Sequence, residues 1–262
     1  MKFVTSAILP AILLLPSLIL HFSTIEPFHR GYFCQDTSIK YPYVEQQTVP
    51  TYLCIVIWTL FSVTVFGITF ITHKSWKILL NALYKLLLGF SLCMLITDVS
   101  KFSVGRLRPH FLTVCNPDLE DVCYQVEEYI EDNDTDYYYS EVIHLNYVEE
   151  GNCTGHVNSL KEARLSFISG HSSTSFYMAV FLILFMKKHT SPWILRTLLQ
   201  VTYFILAFWI SITRINDYMH HPEDVIMGSI IGIICGFLMH KERGEGDVDS
   251  PPTTTEQNPL HE

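Results

Sequence analysis

Six long apolar segments constrain the fold of this chain more than any other feature of its sequence. A helix needs about 20 residues to cross the hydrocarbon core of a bilayer, which is roughly 30 Å thick. The second, third and fifth segments fit that length, and the fourth and sixth do so if the polar residues before each form its first helical turn. The segments are Phe3–Leu20, Tyr52–Thr72, Ile78–Thr97, Ser172–Met186, Ile194–Ile212 and Val225–Met239. We therefore predict an all-α, polytopic membrane protein with six transmembrane helices.

The composition agrees with a membrane protein. The 262 residues are 49% hydrophobic and only 16% charged, which is too apolar for an ordinary soluble domain. Buried helices of a soluble protein are the alternative, and so many long apolar runs disfavour it. The first segment also resembles a cleaved signal peptide, because it is short and follows Lys2. Pro10, Pro16 and the lack of a small-x-small cleavage site before His21 favour an uncleaved span.

The distribution of charge predicts how the spans are oriented. Basic residues occur between spans two and three, between spans four and five, and after span six, so these alternate loops can share the cytoplasmic side. Residues 110–163 carry 13 of the 26 acidic residues and only one basic residue, Lys161. We expect this loop on the extracellular or lumenal side. The net charge of −9 is largely local to it, and nucleic acid is not an expected partner.

Two further features favour an outward position for the acidic loop. Asn133 and Asn152 each begin a glycosylation sequon in it. Four of the seven cysteines fall in segments predicted to lie outside, where disulfides persist, and their pairing stays open. These disulfide candidates are Cys34, Cys115, Cys123 and Cys153.

The chain reads as one membrane domain with a short tail. Residues 1–240 form the predicted six-span domain, without internal repeats. Residues 241–262 are rich in Gly, Asp, Pro and Thr, which predicts a disordered cytoplasmic tail. A homo-oligomer is compatible with the sequence.

Three polar clusters sit at the ends of apolar segments, and the predicted topology places all of them in one outer layer. Arg and Lys are the residues that bind phosphate oxygens, and a glycine before a helix lets backbone N–H groups approach an anion. The clusters supply three cations, two imidazoles and one carboxylate. They are Lys101-x6-Arg108, Ser169-Gly170-His171 and Arg214-x5-His220-x3-Asp224. This inventory predicts a site that holds a phosphate and attacks it with a histidine.

His220 and Asp224 are four residues apart, so on a helical turn the carboxylate can reach the imidazole and raise its basicity. Asp217 or Glu223 could take the place of Asp224. A metal site on His220, His221 and Asp224 is the competing interpretation, and the nearby cations disfavour it. Taken singly, Arg108 could be a snorkelling cation, His171 an interfacial histidine and Ser172 or Ser173 a helix N-cap. Arg106 is a less certain member of the first cluster.

At these residues the chain resembles the type 2 phosphatidic acid phosphatase superfamily, and in particular its integral-membrane lipid phosphate phosphatases. The similar text is KFSVGRLRP at 101–109, ISGH at 168–171 and TRINDYMHHPED at 213–224, with further similarity at 30–43 and 164–173. Ile168 replaces the proline of the family pattern, and Thr213 replaces its serine while keeping the hydroxyl. The resemblance covers about residues 25–240.

The resemblance implies a role for each matching residue. His220 would attack phosphorus and form a phosphohistidine, Asp224 would orient it, and His171 would protonate the leaving alcohol. Phosphate would be bound by Lys101, Arg108, Ser169, Gly170 and Arg214. It implies no metal and no cofactor.

The expected substrates are lipid phosphate monoesters, namely phosphatidic, lysophosphatidic, ceramide or sphingosine phosphate. The expected location is the plasma membrane with the site facing outside, and an endomembrane with a lumenal site is the alternative. An inactive lipid-binding relative would usually have lost catalytic residues, and all of them are present here. A transporter would place its polar groups near the bilayer midplane, and a sugar phosphatase is less supported by the 30–43 segment.

Overall fold

The computed structural model of the chain describes residues 2–117, 124–126, 142–144, 147–149, 153–190 and 192–240. The predicted sequons at Asn133 and Asn152, the disulfide candidate Cys123 and the predicted tail at 241–262 lie outside the described residues.

The described part of the chain is mostly helical, as predicted. Six helices are long, and two short ones, α4 and α5, lie between α3 and α6. The helices are α1 (Lys2–Phe22), α2 (Thr51–His73), α3 (Trp76–Val104), α4 (Phe111–Cys115), α5 (Val157–Ala163), α6 (Gly170–His189), α7 (Trp193–Asn216) and α8 (Pro222–His240). The short strands are β1 (Tyr32–Phe33), β2 (Tyr124–Val126), β3 (Val142–His144) and β4 (Tyr147–Val148).

Four helices in the described residues are long and apolar enough to cross a membrane, namely α2, α3, α7 and α8. In α1 the described side chains form a further apolar stretch, Ile8–Phe22. As predicted, polar motif residues form the first turns of α6 and α8, which begin at Gly170 and Pro222. Helix α3 runs past the predicted end at Thr97 to Val104, so Lys101 lies on its last turn.

Helix α6 lies at the centre of the bundle, against α2, α3, α7 and α8. Its hydropathy is lowered by serines that are fully buried and hydrogen-bonded to neighbouring helices. Ser173 shares a hydrogen bond of 2.9 Å with Thr97 of α3, and Ser175 accepts one of 3.1 Å from Trp58 Nε1 of α2. Small polar residues of this kind allow close interhelical contact in membranes. Helix α6 is therefore a core helix that faces protein more than lipid.

Helix α8 packs against α6 almost backbone to backbone. A Cβ atom added to Gly228 would collide with the carbonyl oxygen of Ser169, and one added to Gly232 would collide with that of Ser173. One turn further along, a Cβ on Gly236 would strike the side chain of Val180. The three glycines are spaced by four residues, so they form one face of α8. Their missing side chains set the distance between the two helices.

We define the site end of the bundle as the end where α3 and α7 finish and α6 and α8 begin. Beyond it, β1 pairs antiparallel with β4, with Tyr32 opposite Val148, and β2 pairs with β3. These strands are absent from the all-α prediction, because alternation over two or three residues is too short a signal. A second hydrophobic cluster includes Tyr32 and Phe111.

The cysteine predictions concern this same region. Cys115 and Cys153 form a disulfide, and Cys34 is also disulfide-bonded. Three of the four predicted cysteines are therefore oxidised, and they tie the chain together beyond the site end.

Candidate active site

The structure brings the three predicted clusters together at the site end. Lys101 lies on the last turn of α3 and Arg214 on the last turn of α7. Ser169 is the residue before α6, and Asp224 lies in the first turn of α8. The backbone N–H of Ser169 donates to the carbonyl oxygen of Asp224 at 3.1 Å, which joins the second cluster directly to the third.

His220 lies in the turn between α7 and α8 and is 4% exposed. Its Nδ1 is 2.7 Å from the backbone carbonyl oxygen of Ser166. A carbonyl only accepts hydrogen bonds, so Nδ1 carries the proton and Nε2 keeps its lone pair. Within the described residues Nε2 has no hydrogen-bond partner. The imidazole is thus held in the tautomer that a nucleophile needs.

The electrostatic environment keeps this imidazole neutral. Burial lowers the pKa of His220 well below its ordinary value, and the nearby cations Arg108 and Lys101 lower it further. The hydrogen bond to Ser166 acts in the opposite direction, and its effect is smaller than that of burial. A neutral imidazole with an available lone pair is a competent nucleophile near neutral pH.

The predicted contact between Asp224 and His220 is wrong. The carboxylate of Asp224 is fully buried and accepts hydrogen bonds from Arg106 at 2.7 Å, from the Ser166 hydroxyl at 2.6 Å and from the His221 backbone N–H at 3.0 Å. The reason is local geometry. His220 precedes α8, so the four-residue spacing does not span a helical turn, and Asp224 turns back toward the start of its own helix.

Arg106 contacts carboxylates, whereas its neighbour Arg108 is predicted to bind the phosphate. Its guanidinium forks between the buried Asp224 and the exposed Glu223, at 2.7 and 3.2 Å. Glu223 does not replace Asp224 as a partner of His220, because its carboxylate is occupied by Arg106 at the surface. Arg106 neutralises the buried carboxylate of Asp224.

Arg108, Lys101 and His171 present polar atoms that no described residue satisfies. Arg108 Nε and His171 Nε2 are buried, and neither has a hydrogen-bond partner among the described residues. The Nζ of Lys101 makes no hydrogen bond within the described residues, and a Cβ on Gly170 would lie 3.5 Å from it. Gly170 thus keeps the space beside this ammonium open. Buried donors that lack partners around an available nucleophile are suited to an anion.

Within the described residues, Arg108 makes one direct ion pair. Its Nη2 donates to Glu162 at 3.2 Å, and the Glu162 side chain is 58% exposed. An exposed carboxylate at that distance neutralises the guanidinium only weakly. The positive charge of Arg108 can therefore still attract an anion in the site.

Arg214 is more fully satisfied than the sequence suggests. It is 1% exposed and donates to Asp217 at 2.8 Å and to Gln47 at 2.9 Å. Asp217 in turn accepts from the backbone N–H and hydroxyl of Thr48, at 2.9 and 2.7 Å. Asp217 therefore fixes Arg214 and does not act as a substitute for Asp224. Through these bonds the segment before α2 closes one side of the site.

The serines of the second cluster have defined positions. Ser169 is the N-cap residue of α6, so the alternative that Ser172 or Ser173 caps the helix is wrong. The hydroxyl of Ser172 donates to that of Ser169 at 3.1 Å. Gly170 and His171 then open the helix, with the first backbone N–H groups at the site end.

The alternative of a metal site receives no support from the contacts. His221 Nε2 is 3.0 Å from the carbonyl oxygen of Leu107, and Asp224 is held by Arg106. Among the described residues, no group of three or more His, Cys, Asp or Glu side chains is arranged to hold a metal ion.

Four contributors were missed or underrated in the sequence. Arg106 stands two residues from Arg108, and spacing alone does not tell which of them faces a phosphate. Ser166 acts partly through its backbone, which carries no residue-specific signal. Gln47 and Thr48 are distant in sequence from the three polar clusters, so only the three-dimensional fold identifies them.

Comparison with known proteins identifies the family of the chain. The PAP2 superfamily profile matches residues 82–244, which include every candidate residue from Lys101 to Asp224. The chain is 34% identical to phospholipid phosphatase 1 of Rattus norvegicus, over 81% of this chain and 74% of the rat protein. It is 34% identical to phospholipid phosphatase 1 of Mus musculus and 30% identical to phospholipid phosphatase 2 of that species, in each case over 90% of this chain and 84% of the relative. No solved structure shows a significant match.

Helices long enough to span a membrane, a cationic site and these similarities define a membrane phosphatase, a hydrolase of phosphoric monoesters. The chain belongs to the PAP2 superfamily.

Proposed function

We propose that this protein is a metal-independent lipid phosphate phosphohydrolase that works through a phosphohistidine on His220. The observation that carries the proposal is the buried His220, whose Nε2 is available while Arg108 presents an unpartnered donor and His171 an unpartnered ring nitrogen nearby. The names of the relatives, phospholipid phosphatases 1 and 2, support a lipid substrate. The proposed substrates are phosphatidic, lysophosphatidic, ceramide and sphingosine phosphates.

The proposed reaction has two displacements. In the first, the lone pair on His220 Nε2 attacks phosphorus and the bond from phosphorus to the lipid oxygen breaks. His171, which the bound phosphate anion stabilises in its protonated form, gives its proton to the leaving oxygen. In the second, water attacks the phosphohistidine, the phosphorus–nitrogen bond breaks, and His171 takes the proton of the water. Inorganic phosphate and the lipid alcohol are the products.

The positive groups stabilise the charge that develops on the phosphoryl oxygens. Lys101, Arg108 and Arg214 supply that charge, and the N–H groups at the start of α6, after Ser169 and Gly170, add hydrogen-bond donors. Asp224 positions His220 through Ser166 and balances the charge of Arg106. The site needs no metal because the chain provides the cations itself.

Turnover by histidine variants tests the mechanism. We expect His220→Ala to abolish phosphate release from short-chain phosphatidic acid while the protein inserts and folds normally. His171→Ala should slow release by about 10²–10⁴-fold, most strongly for poor leaving groups, and should trap labelled phosphate on His220. His73→Ala, at the opposite end of the bundle, is the matched control. Wild-type activity in His220→Ala would refute the proposal.

Binding without turnover would favour the alternative of a catalytically inactive lipid-binding relative. The measurement is phosphate release by the purified wild-type protein beside binding of the same lipid. Inactive wild-type protein that still binds the lipid would establish that alternative.

Chelation tests the absence of a metal requirement. Phosphate release should survive exhaustive EDTA treatment, and vanadate should inhibit, because transition-state analogues bind far more tightly than substrates. Activity that is lost to EDTA and restored by magnesium or zinc would revive the metal site on His220, His221 and Asp224.

We also propose six spans with both termini in the cytoplasm and the site facing outward at the plasma membrane. The alternation of basic loops supports this orientation. Tags in the 110–163 loop and after residue 241 should be accessible from opposite sides of the membrane. Both tags on one side would refute the six-span topology, and hydrolysis of an added impermeant lysophospholipid by intact cells would separate the plasma membrane from an endomembrane.

A further inference from the structure

A large cavity lies at the opposite end of the bundle from the candidate active site. Its volume is about 1040 Å³, and it lies between the start of α3 and the ends of α6 and α8. Lys85 and Lys101 are 16 residues apart on α3, which corresponds to about 24 Å along the helix. The cavity is therefore separate from the candidate active site, and the proposed function does not account for it.

One wall of the cavity carries an unusual polar stripe. Lys77, Asn81 and Lys85 line it, and they follow each other at intervals of four residues on α3. Residues at this spacing share one helix face. Because a helix rises 1.5 Å per residue, Lys85 lies about 12 Å further into the bundle than Lys77.

Lys85 is the informative member of the stripe. It lies inside the apolar segment Ile78–Thr97 and is partly buried. Its ammonium makes no hydrogen bond or ion pair within the described residues. A charged side chain inside a span is costly unless a partner or water meets it, and such residues mark functional sites. Side chains on a helix lean toward its N-terminus, so the ammonium of Lys85 leans toward Asn81 and Lys77.

The rest of the lining combines apolar side chains with Lys188, His189 and His240, which lie in the last turns of α6 and α8. Phe181 and Phe185 of α6 face the cavity, and Trp76, which is 64% exposed, stands at the start of α3. Tryptophan at a helix end is typical of the membrane interface. A cavity with aromatic side chains and lysines at different depths suits an amphiphile with an anionic head, and basic pockets between transmembrane helices bind such headgroups.

We propose that this cavity binds one anionic phospholipid of the surrounding bilayer. Lys77 and Lys85 hold its phosphodiester, the amide of Asn81 donates a hydrogen bond to it, and an acyl chain packs against Phe181 and Phe185. A phosphodiester headgroup distinguishes this ligand from the phosphomonoesters proposed as substrates.

Photo-crosslinking tests the proposal. The purified protein would be placed in phosphatidylcholine nanodiscs that contain a small fraction of photoactivatable phosphatidylserine, a diester that the proposed reaction does not hydrolyse. Crosslinks mapped by peptide mass spectrometry should fall on Trp76–Lys85 and around Phe181–Phe185. Unlabelled phosphatidylserine should displace them, and added phosphatidylcholine should not.

Charge variants make the test specific. Lys77→Gln combined with Lys85→Gln should weaken displacement by phosphatidylserine about 30-fold, which follows from about 1 kcal/mol for each cation and 1.4 kcal/mol per factor of ten. Lys74→Gln is the control, since Lys74 is exposed and outside the cavity. Release of phosphate from a soluble substrate checks that each variant is folded, and it stays near the wild-type rate.

Three results would overturn the proposal. They are equal labelling by photoactivatable phosphatidylcholine, unchanged displacement in the double variant, and the absence of crosslinks at the cavity. None of them bears on catalysis by His220, so failure here and failure of the proposed reaction are distinguishable.

Discussion

Ser166 joins the side chain of Asp224 to the imidazole of His220. The hydroxyl of Ser166 donates to the Asp224 carboxylate at 2.6 Å, while its backbone carbonyl accepts from His220 Nδ1 at 2.7 Å. One residue thus holds the nucleophile through its main chain and the carboxylate through its side chain. A substitution can therefore remove one contact and leave the other in place.

We expect Ser166→Ala to separate these two functions. The variant loses a hydrogen bond to a buried charged group, which costs about 1.5–3 kcal/mol of stability. Because the backbone carbonyl still holds His220, turnover should stay within about tenfold of the wild type, whereas His220→Ala should abolish it. Thermal unfolding and phosphate release measure the two effects. Complete loss of turnover in a folded Ser166→Ala protein would contradict this assignment.

Arg106→Gln should be more harmful than its partial exposure suggests. The change leaves the carboxylate of Asp224 buried without a cation, and breaking a buried pair costs about 3–5 kcal/mol, a value to be reduced here because Arg106 is 29% exposed. Glu223→Gln is the matched control, since it removes only the exposed partner of the same guanidinium. Both melting temperature and turnover should fall in Arg106→Gln and stay nearly unchanged in Glu223→Gln. Equal losses in the two variants would show that the exposed pair with Glu223, and not the buried pair with Asp224, accounts for the effect of Arg106.

The pH profile of turnover should report the charge around His220. Burial and the cations Arg108 and Lys101 hold the pKa of His220 well below its ordinary value, so the nucleophile stays neutral as the pH falls to 6.5 and lower. Arg108→Gln removes a positive neighbour and should raise this pKa, which moves the acidic limb of kcat/KM to higher pH. The comparison of variant and wild type cancels the ionisation of the substrate. An acidic limb that moves to lower pH would contradict the electrostatic account.

His110 should make stability depend on pH. Burial, together with Arg108, lowers the pKa of His110 to about 4, against the effect of its hydrogen bond to the Tyr218 carbonyl at 2.9 Å. The unfolded chain takes up a proton near pH 6.5, and the folded chain does so only near pH 4. Stability is therefore lost as the pH falls through this window, by up to about 3 kcal/mol.

Replacement of this histidine checks the assignment. In His110→Gln the melting temperature should fall less between pH 6.5 and 4 than in the wild type. Glutamine can still donate to the Tyr218 carbonyl, so the variant is expected to fold. An unchanged slope of melting temperature against pH would show that other groups cause the acid sensitivity.

The sequence predicts the helices and the general position of the site because both follow from local patterns. Apolar length identifies the long helices, and a cluster at the end of each span can only lie near a membrane surface. The short strands and the extension of α3 to Val104 depend on contacts beyond the bilayer, which hydropathy does not report.

The fine structure of the site could not be predicted for a different reason. The partner of His220 is a backbone carbonyl, and every residue has one, so the identity of Ser166 gives no sign of it. The choice of Arg106 as the partner of Asp224, and of Gln47 as a partner of Arg214, depends on helix packing between distant segments. The spacing within a motif predicts which residues belong to the site, but it does not predict which of them form hydrogen bonds or ion pairs with each other.

The close contact of α6 and α8 along Gly228, Gly232 and Gly236 has a mechanical consequence. Separating two helices that touch through their backbones loses close van der Waals contacts along their whole interface, so we expect them to tilt together when the thickness of the bilayer changes. Ser169 and Gly170 open one of them and Asp224 opens the other. We therefore expect the distance between the phosphate-binding start of α6 and Asp224 to stay the same in membranes of different thickness.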